Sequence, residues 1–583
     1  MNRITFLLLS FLAFSIISCD QKQPSAVKPD PDNGGLILPG DFGALVVADS
    51  TGNARHITVN ENGDIYVKLT FNQAKDGGGG TVGLRDLNGD GKADSIVYFG
   101  DYKDEGGSAV GVTIHNGYLY TSTVQQVLRT PLDGNLVPKT KTEVVFTDDS
   151  DVVKNWHTTK PLAFDDKGNL FIPFGGPSDA GQDIKLYGPV GIPGGKGLDP
   201  SPELIAHGGI WRFDANKLNM TKKDGVKYAT GIRSVVGMKW NPADKSVYAV
   251  VNGMDNFYTL YPNIYSSWQG AVLPAETLIK VTEGANFGWP YAYYDHLQKK
   301  NILQPAYGGD GKKQERAAAY TDPVIGFPGH WAPMDILFYK GTQFPERYRQ
   351  GAFVAFHGST DRSPYPQAGF IVCFVPLENG KATGGYEIFA DGFAMVDTVV
   401  NTGDARYRPM GLAEGPDGSL YISESNKGKI WRVMYQGDKT KFGEDQLKKM
   451  EASKSRTYVK DPDPLKDQLT TGSQEGWKLY SIYCTSCHQN NGKGDNNRFP
   501  PLAGSEYVTG DKTRLINILL NGLEGEITVN GKKYNGLMPQ FSHLDDHAIA
   551  ALLTHIRSRF KNNAPPVSSV EVKKAREANS RKK

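Results

Sequence analysis

Residues 62–67 read NGDIYV, a pattern in which a tight turn leads directly into a short strand. Asparagine and glycine readily adopt the positive φ of such a turn, and the alternation after them suits a strand with one buried face. Five further copies follow: NGYLY at 116–120, KGNLFI at 167–172, DKSVYA at 244–249, QGAFVA at 350–355 and DGSLYI at 417–422. Their spacing of about 50–75 residues, with one longer gap, is typical of propeller blades. The sequence therefore predicts an all-β, six-bladed β-propeller over residues 36–435, whereas a pair of β-sandwiches would not repeat one motif in this way.

Composition limits the classes of protein that the chain can belong to. Its 583 residues exceed the size of one ordinary domain, so we expect two domains with connecting segments. The 65 lysines and arginines nearly balance the 63 aspartates and glutamates, which gives no support for a nucleic-acid partner. The 67 glycines and the aromatic content of 11% suit a β-rich fold with many tight turns.

The N-terminus reads as an export signal. An apolar run at 4–17 is too short to span a bilayer with ease and is followed by Ser18 and Cys19. The ending IISC resembles a bacterial lipobox, which implies a signal peptide at 1–18, lipid attached to Cys19 and a polar tether at 19–35. The alternative is an ordinary signal peptide with a chance cysteine. We expect a protein of the bacterial cell envelope, periplasmic or surface-facing, that meets the membrane only through its lipid.

Composition changes again after the last repeat. Residues 436–470 are charged, poor in apolar side chains and closed by prolines, which predicts a linker. Helical periodicity follows at 471–560, which predicts a small all-α domain. The basic stretch 561–583 has no evident core and is expected to be disordered. Cys373 lies in an apolar run and is expected to be a buried, inert thiol.

The helical region contains CTSCH at 484–488, which is a C-x-x-C-H motif. Thiols at Cys484 and Cys487 can both add to the vinyl groups of a haem, and His488 then presents its imidazole to the iron. The motif predicts a covalently bound haem c.

The iron needs a sixth ligand, and GLMP at 536–539 offers Met538 in a loop before a helix expected at about 545–560. His543 and His547 are nearby alternatives, and Met538 could also simply fill the core. The arrangement of residues 470–560 resembles a small class I cytochrome c, in which a Met-Pro loop supplies the thioether. An imidazole–thioether pair raises the haem potential and leaves no open site, which suits electron transfer.

Several ordered stretches of 36–435 resemble the quinoprotein sugar dehydrogenases, the six-bladed enzymes that use pyrroloquinoline quinone (PQQ). The stretches are HTTKPLAFD at 157–165, GIRSVVG at 231–237, GANFGWP at 284–290, AP at 332–333, FPERYR at 344–349, HGS at 357–359 and DARYRP at 404–409. Two departures weaken the match, because Ser234 replaces the usual asparagine and GPSD at 176–179 replaces the segment in which a relative orients its histidine.

The resemblance implies roles for particular residues. PQQ carries three carboxylates, which guanidinium groups bind with paired hydrogen bonds, and the cofactor-binding residues implied are Arg233, Arg406, Arg408 and His357. His157 is implied as the base that takes the hydroxyl proton of an alcohol. Without the resemblance, His157 would read as a loop histidine and the arginines as solvated surface residues.

Calcium is the third cofactor expected. Asp255 and its neighbouring carbonyls lie where the resemblance puts a Ca²⁺ ion that polarises the quinone. Separately, DLNGDGKAD at 86–94 has oxygen donors at loop positions 1, 3, 5 and 9, which are Asp86, Asn88, Asp90 and Asp94. Position 12 is Val97 instead of glutamate, so this segment is either a structural calcium loop or a turn rich in Asp and Asn.

Together these features predict a dehydrogenase that oxidises a sugar, polyol or other alcohol or aldehyde with PQQ. Electrons would pass through haem c to a periplasmic or membrane acceptor. A lactonase-like, calcium-dependent hydrolase is an alternative, although a haem domain would then have no role. A propeller that binds a ligand or partner and tethers an electron carrier is a second alternative.

Overall fold

The computed structural model describes residues 27–70, 80–100, 108–150, 157–362, 365–399, 402–462, 474–495 and 498–580. The strands of the large domain are β1 (Phe42–Ala48), β2 (Ala54–Val59), β3 (Ile65–Leu69), β4 (Thr81–Arg85), β5 (Ser95–Phe99), β6 (Val112–His115), β7 (Tyr118–Ser122), β8 (Gln126–Pro131), β9 (Glu143–Thr147), β10 (Ala163–Phe164), β11 (Asn169–Phe174), β12 (Gly209–Asp214), β13 (Val226–Thr230), β14 (Val235–Asn241), β15 (Ser246–Val251), β16 (Glu276–Val281), β17 (Ala292–Asp295), β18 (Lys300–Leu303), β19 (Ile325–Phe327), β20 (Pro333–Leu337), β21 (Gly351–Phe356), β22 (Ile371–Glu378), β23 (Lys381–Ala382), β24 (Glu387–Ala390), β25 (Pro409–Glu414), β26 (Leu420–Glu424) and β27 (Ile430–Tyr435).

These strands form six antiparallel blades, which confirms the predicted propeller. The strand orders are β2-β3-β4-β5, β6-β7-β8-β9, β10-β11-β12-β13, β14-β15-β16-β19, β20-β21-β22-β24 and β25-β26-β27-β1. The last sheet closes the ring, because the first strand of the domain pairs with its last strand, with Phe42 opposite Tyr435. This closure leaves no gap between the first blade and the sixth.

Each of the six sequence repeats forms the second strand of its blade, namely β3, β7, β11, β15, β21 and β26. The turn before the strand has the backbone that the motif predicted, since φ is +89° at Gly63 and +82° at Gly418. The strand itself is buried throughout in β3 and β26. A local turn signal therefore sets the start of the central, most buried part of five blades, whereas Gly351 in the fifth blade does not have a positive φ.

Short helices and one hairpin are inserted between successive strands within the third and fourth blades. The helices are α1 (Ile184–Tyr187), α2 (Glu203–Ala206), α3 (Phe257–Leu260) and α4 (Ser267–Val272), and β17 pairs with β18 outside the blades. Cys373 is fully buried in β22, as expected of an inert thiol.

The segment at 436–462 is not the flexible linker that its composition suggested. It contains 3₁₀ turns and α5 (Glu444–Leu447), and its Met450, Tyr458 and Val459 are buried in the propeller core. The hydroxyl of Tyr458 donates to Asp391 at 2.9 Å. Three buried apolar side chains thus hold this charged segment against the propeller. We call residues 436–462 the strap.

The C-terminal domain is mainly helical, and the prediction of a helical cytochrome-like domain is confirmed. Its elements are α6 (Gln474–Tyr483), α7 (Thr485–His488), α8 (Glu506–Thr509), α9 (Lys512–Asn521), β28 (Leu523–Val529), β29 (Lys532–Met538), α10 (Asp546–Ser558) and α11 (Ser569–Ser580). A hairpin of β28 and β29, which the sequence did not predict, precedes α10. Asp545 caps α10 by accepting a hydrogen bond from the Ala548 amide.

The predicted disorder of 561–583 is wrong for the part that the structure describes. Residues 569–580 form α11, and Val567, Val572 and Ala575 are buried in the core of the helical domain. Arg576 donates to the carbonyls of Ser542 and Leu544 and pairs with Asp546. Val572 and Ala575, three residues apart on α11, and Val567 just before the helix supply an apolar packing face that the many charges around them obscured.

The predicted tether is also partly folded, since Val46 donates its amide to Asp30 and Ala44 donates to Asn33. Residues 1–18 and Cys19 lie outside the described residues. Among the described residues, no helix is long and apolar enough to cross a membrane.

Candidate functional site

One face of the propeller collects the functional side chains. In an antiparallel blade the start of the first strand and the end of the second strand meet at the same edge, as Pro333 and Phe356 do. His157, Arg233, His330 and Arg408 precede first strands, whereas Asp255, His357 and Asp361 follow second strands. All of them except His330 line one cavity of about 520 Å³, a size that suits a small organic ligand.

His157 lies at the wall of this cavity, against the backbone of residues 175–176. Its Nδ1 is hydrogen-bonded to the carbonyl of Gly176, so Nδ1 must carry the proton and Nε2 keeps the lone pair. A side chain at Gly175 would collide with His157, which explains why glycine stands there. Burial, reinforced by the charge of Arg233, lowers the pKa of His157 to about 3. The imidazole is therefore neutral at ordinary pH, as a proton acceptor must be.

Arg408 is held rigidly at another wall. Its Nε donates to the carbonyl of His357 at 3.0 Å, and its Nη2 donates to the carbonyl of Gly358 at 2.6 Å and to Nδ1 of His357 at 2.8 Å. These acceptors are all neutral, and among the described residues no carboxylate forms an ion pair with Arg408. Burial and the neighbouring charges of Arg498 and Arg55 lower the pKa of Arg408 to about 9. The cavity thus holds a buried cation whose side-chain hydrogen-bond acceptors are all neutral.

Arg233, in contrast, is paired with two carboxylates, although its buried Nε has no hydrogen-bond partner. Its Nη2 lies 2.9 Å from Asp179 and 2.8 Å from Asp255, and its Nη1 donates to the carbonyl of Gly253. Asp179, which sequence analysis could not match to the histidine partner of a relative, therefore holds Arg233, and His157 is oriented by a backbone carbonyl. Arg233 positions the acidic wall of the cavity.

That acidic wall contains a cluster that could hold a cation. Single ligand atoms of Asp255, His330 and Asp361 lie within 4.8 Å of one another. Arg233 and His330 outweigh the effect of burial and keep the pKa of Asp255 below its usual value, while burial and Asp255 raise the pKa of Asp361 to about 6. The Oδ1 atom of Asn252, which lines the same cavity, is buried without a hydrogen-bond partner. Oxygen donors of this kind suit Ca²⁺, although Arg233 already uses the carbonyls next to Asp255.

The structure does not bring Arg406 to the cavity. Arg406 is exposed and lies near the ring of Tyr407, on an adjoining surface formed with Met395 and Asp404. The segment before β25 is irregular here, so two residues at spacing two do not share a face. The implied role of Arg406 in binding the cofactor is therefore not supported by its position, whereas Arg408 does line the cavity.

The loop at 86–94 is built as a turn. Asp86 accepts hydrogen bonds from the amides of Asn88, Gly89 and Gly91, and Asp94 accepts from the amides of Leu87 and Asn88. The side chain of Asp90 accepts from the Lys92 amide. These carboxylates cap the loop's own backbone and set the tight turn that both readings of the segment share.

The haem motif has the geometry that attachment requires. Cys484 caps the short helix α7, which carries Cys487 and ends with His488. Nδ1 of His488 donates to the carbonyl of Pro500 at 2.9 Å, which fixes the tautomer and leaves Nε2 for iron. Both thiols and the imidazole therefore fit a covalently bound haem c.

Met538 ends β29 and packs against the core that contains Cys484. His543 and His547, the alternative ligands, are both exposed, and the ring of His543 packs against Tyr483 and Phe541. The position of Met538 in the core next to the haem motif favours it as the sixth ligand.

Sequence reasoning missed several residues of the site. His330, Asp361, Asp495 and Arg498 carry no local motif, and they meet only because distant loops converge. Asp495 and Arg498 belong to the helical domain, so the cavity is lined by both domains.

The family comparisons assign the two domains separately. The family model described as TrAA12-like matches residues 201–436, and the one described as Cytochrome c matches residues 473–559. Cytochrome c-552 of Thermus thermophilus is 42% identical over an alignment of 117 residues, covering 18% of this chain and 78% of the relative.

The propeller has more distant relatives. A pyrroloquinoline quinone-dependent sugar dehydrogenase of Hypocrea jecorina is 23% identical over 422 residues, covering 68% of this chain and 84% of the relative. The holo form of the pyranose dehydrogenase PQQ domain from Coprinopsis cinerea superposes with a TM-score of 0.52 and 19% identity, covering 68% of this chain and 97% of that domain. The resemblance of the propeller to PQQ sugar dehydrogenases and of the helical domain to cytochromes c is thus confirmed.

Proposed function

Because the chain belongs to the cytochrome c family at residues 473–559 and carries a TrAA12-like propeller, we propose that it is a PQQ-dependent dehydrogenase with its own electron acceptor. The substrate is a sugar, polyol or other alcohol or aldehyde, and electrons leave through haem c to an external periplasmic or membrane acceptor. The observation that carries this proposal is the single cavity shared by His157, Arg408 and residues of the haem domain.

The cations of the cavity fit an anionic cofactor. Arg408 is rigid, buried and paired only with neutral acceptors, so a carboxylate would relieve the cost of burying its charge. His357 holds Arg408 through Nδ1 and donates from Nε2 to Ser425 at 2.6 Å. His357 is therefore neutral and orients the guanidinium. When bound, PQQ supplies an ortho-quinone that takes up two electrons, and haem c carries electrons singly.

His157 supplies the proton chemistry. Its Nε2 lone pair can accept the hydroxyl proton of an alcohol as the carbon–hydrogen bond breaks, and the resulting imidazolium keeps its hydrogen bond to Gly176. Asp255 is close enough to interact electrostatically with His157 and would stabilise the added charge. The same acidic wall is proposed to hold Ca²⁺ through Asp255, Asp361 and Asn252.

The location of the protein is a second part of the proposal. The lipobox-like ending before Cys19 and the polar residues after it support export and attachment of lipid to that thiol. We expect Cys19→Ala to give an exported protein that is released from membranes by salt washing. Continued membrane retention of that variant would show that another feature anchors the chain.

A panel experiment distinguishes this function from a hydrolase or a binding module. Protein carrying haem c is incubated with PQQ and Ca²⁺, and then with sugars, polyols, aldehydes and lactones. Haem reduction by one of the first three classes supports the dehydrogenase. Lactone hydrolysis without haem reduction would support the hydrolase, and the absence of both reactions would support the binding module.

A further inference from the structure

The haem domain contributes two charged residues to the propeller cavity. Asp495 and Arg498 line it together with Arg408 and Asp361. Arg498 pairs with Asp495 at 3.1 Å, and about 59% of its side chain is exposed. Asp495 also accepts hydrogen bonds from the backbone amides of Arg498 and Phe499, at 2.7 and 2.8 Å. Arg498 is thus held at the cavity by its own backbone and remains accessible to a ligand.

Positive charge is concentrated where Arg498 meets the propeller. Arg498 and Arg55 both act on Arg408 and lower its pKa. Arg55 has a buried Nε without a partner, and among the described residues it forms no ion pair with a carboxylate. Arg408 and Arg498 both line the cavity, with Arg55 near enough to act on Arg408, and such guanidinium groups repel each other unless an anion lies between them.

The same segment is tied to the haem motif. Pro500, whose carbonyl holds His488, is two residues after Arg498. Asp495, which lines the cavity, is seven residues after His488. A short stretch of chain therefore joins the haem attachment site to the lining of the propeller cavity.

We propose that Arg498 completes the cofactor pocket from the haem domain, binding a carboxylate of the anionic cofactor together with Arg408. Occupancy of the pocket then holds the haem domain on the propeller with its haem-bearing segment facing the cofactor. This inference rests on the proposed function, because it takes PQQ as the anion.

The test measures PQQ binding to intact, haem-loaded protein with Ca²⁺ and no substrate. Arg498→Gln should raise the Kd for PQQ about tenfold, since a hydrogen bond to a charged group is lost. The Kd of Arg498→Lys should lie between that of the wild type and that of Arg498→Gln. Arg514→Gln is the matched control. It removes an exposed arginine of the same domain that stacks on Tyr507 and lies outside the cavity lining. Unchanged affinity in both Arg498 variants would overturn this inference alone, whereas wild-type protein that binds no PQQ would overturn the proposed function as well.

A second measurement reads the link between domains without turnover. Unfolding of the haem domain, followed by its haem absorbance, should shift to higher temperature when PQQ is added to the wild type, because a ligand stabilises whatever it binds. The shift should be lost in Arg498→Gln and retained in Arg514→Gln. An equal shift in wild type and Arg498→Gln would contradict the role given to Arg498.

Discussion

Nη2 of Arg408 lies 2.8 Å from Nδ1 of His357, and the arginine is the donor because a guanidinium has no lone pair to offer. His357 is therefore neutral, in agreement with its pKa, which burial and the charges of Arg408 and Arg55 hold well below the usual value. A neutral histidine that accepts from a buried arginine fixes its direction without cancelling its charge. That charge is what an anionic cofactor would meet.

Arg408→Gln should weaken PQQ binding by about 10- to 100-fold, because two charge-assisted hydrogen bonds to a carboxylate are lost. Arg406→Gln is the matched control, since Arg406 is exposed outside the cavity, and its affinity should equal that of the wild type. Equilibrium titration of the two variants with PQQ measures the difference. An equal loss of PQQ affinity in both variants would mean that the cofactor binds across the surface that carries Arg406.

Met538→Ala should lower the haem potential by on the order of 100 mV and abolish the sulfur-to-iron absorption band, because the thioether favours Fe(II). His543→Ala should leave the haem potential and the absorption band unchanged, since that ring is exposed and packs on Tyr483 and Phe541. Redox titration of the oxidised protein decides the matter. A potential that shifts in His543→Ala but stays constant in Met538→Ala would reassign the ligand.

Tyr458 tests whether the strap belongs to the propeller. Tyr458→Ala should reduce the free energy of unfolding of the propeller by about 3 kcal/mol, because a fully buried ring is lost. Tyr458→Phe removes only the hydrogen bond to Asp391 and should cost about 1 kcal/mol. Denaturant unfolding of the two variants gives both values. Wild-type stability in Tyr458→Ala would mean that the strap is not part of the folded unit.

Local chemistry explains why the propeller and the haem motif were predictable. Each turn–strand repeat carries its own backbone signal, as Gly63 does, and a C-x-x-C-H motif is complete within five residues. The sequence did not predict that the strap packs on the propeller or that α11 packs on the helical domain. The apolar residues that make these contacts, such as Tyr458 and Val572, lie among many charges. Averaged composition hides such residues, although their spacing was present in the sequence.

The missing parts of the site had no comparable signal. Asp361 and Arg498 are separated by more than a hundred residues and belong to different domains, so only the folded chain brings them to one cavity. Arg233 looked like an anion-binding arginine, yet Asp179 and Asp255 neutralise it. Which arginine keeps its charge free is decided by neighbours that are distant in sequence.

The pKa of His157 predicts how its contribution depends on pH. Burial lowers that pKa to about 3, so the base is lost only when the pH falls towards that value. The ratio of wild-type to His157→Ala rates should therefore stay constant from about pH 8 to about pH 5. Other titrating groups of the cavity change both rates alike, so their pH dependence cancels in this ratio. A ratio that falls with a midpoint near the usual value of about 6.5 would show that His157 is accessible to protons.

The most direct test of the account is the rate of substrate-driven haem reduction in His157→Ala, with PQQ and Ca²⁺ saturating and with a substrate found in the panel. General-base help is worth about 10²- to 10⁴-fold, so the variant should reduce its haem more slowly by that factor while it binds PQQ as tightly as the wild type. His157→Gln, which fills similar space without a basic nitrogen, should be equally slow. Haem reduction at the wild-type rate in both variants would contradict the assignment of this cavity as the place where the substrate is oxidised.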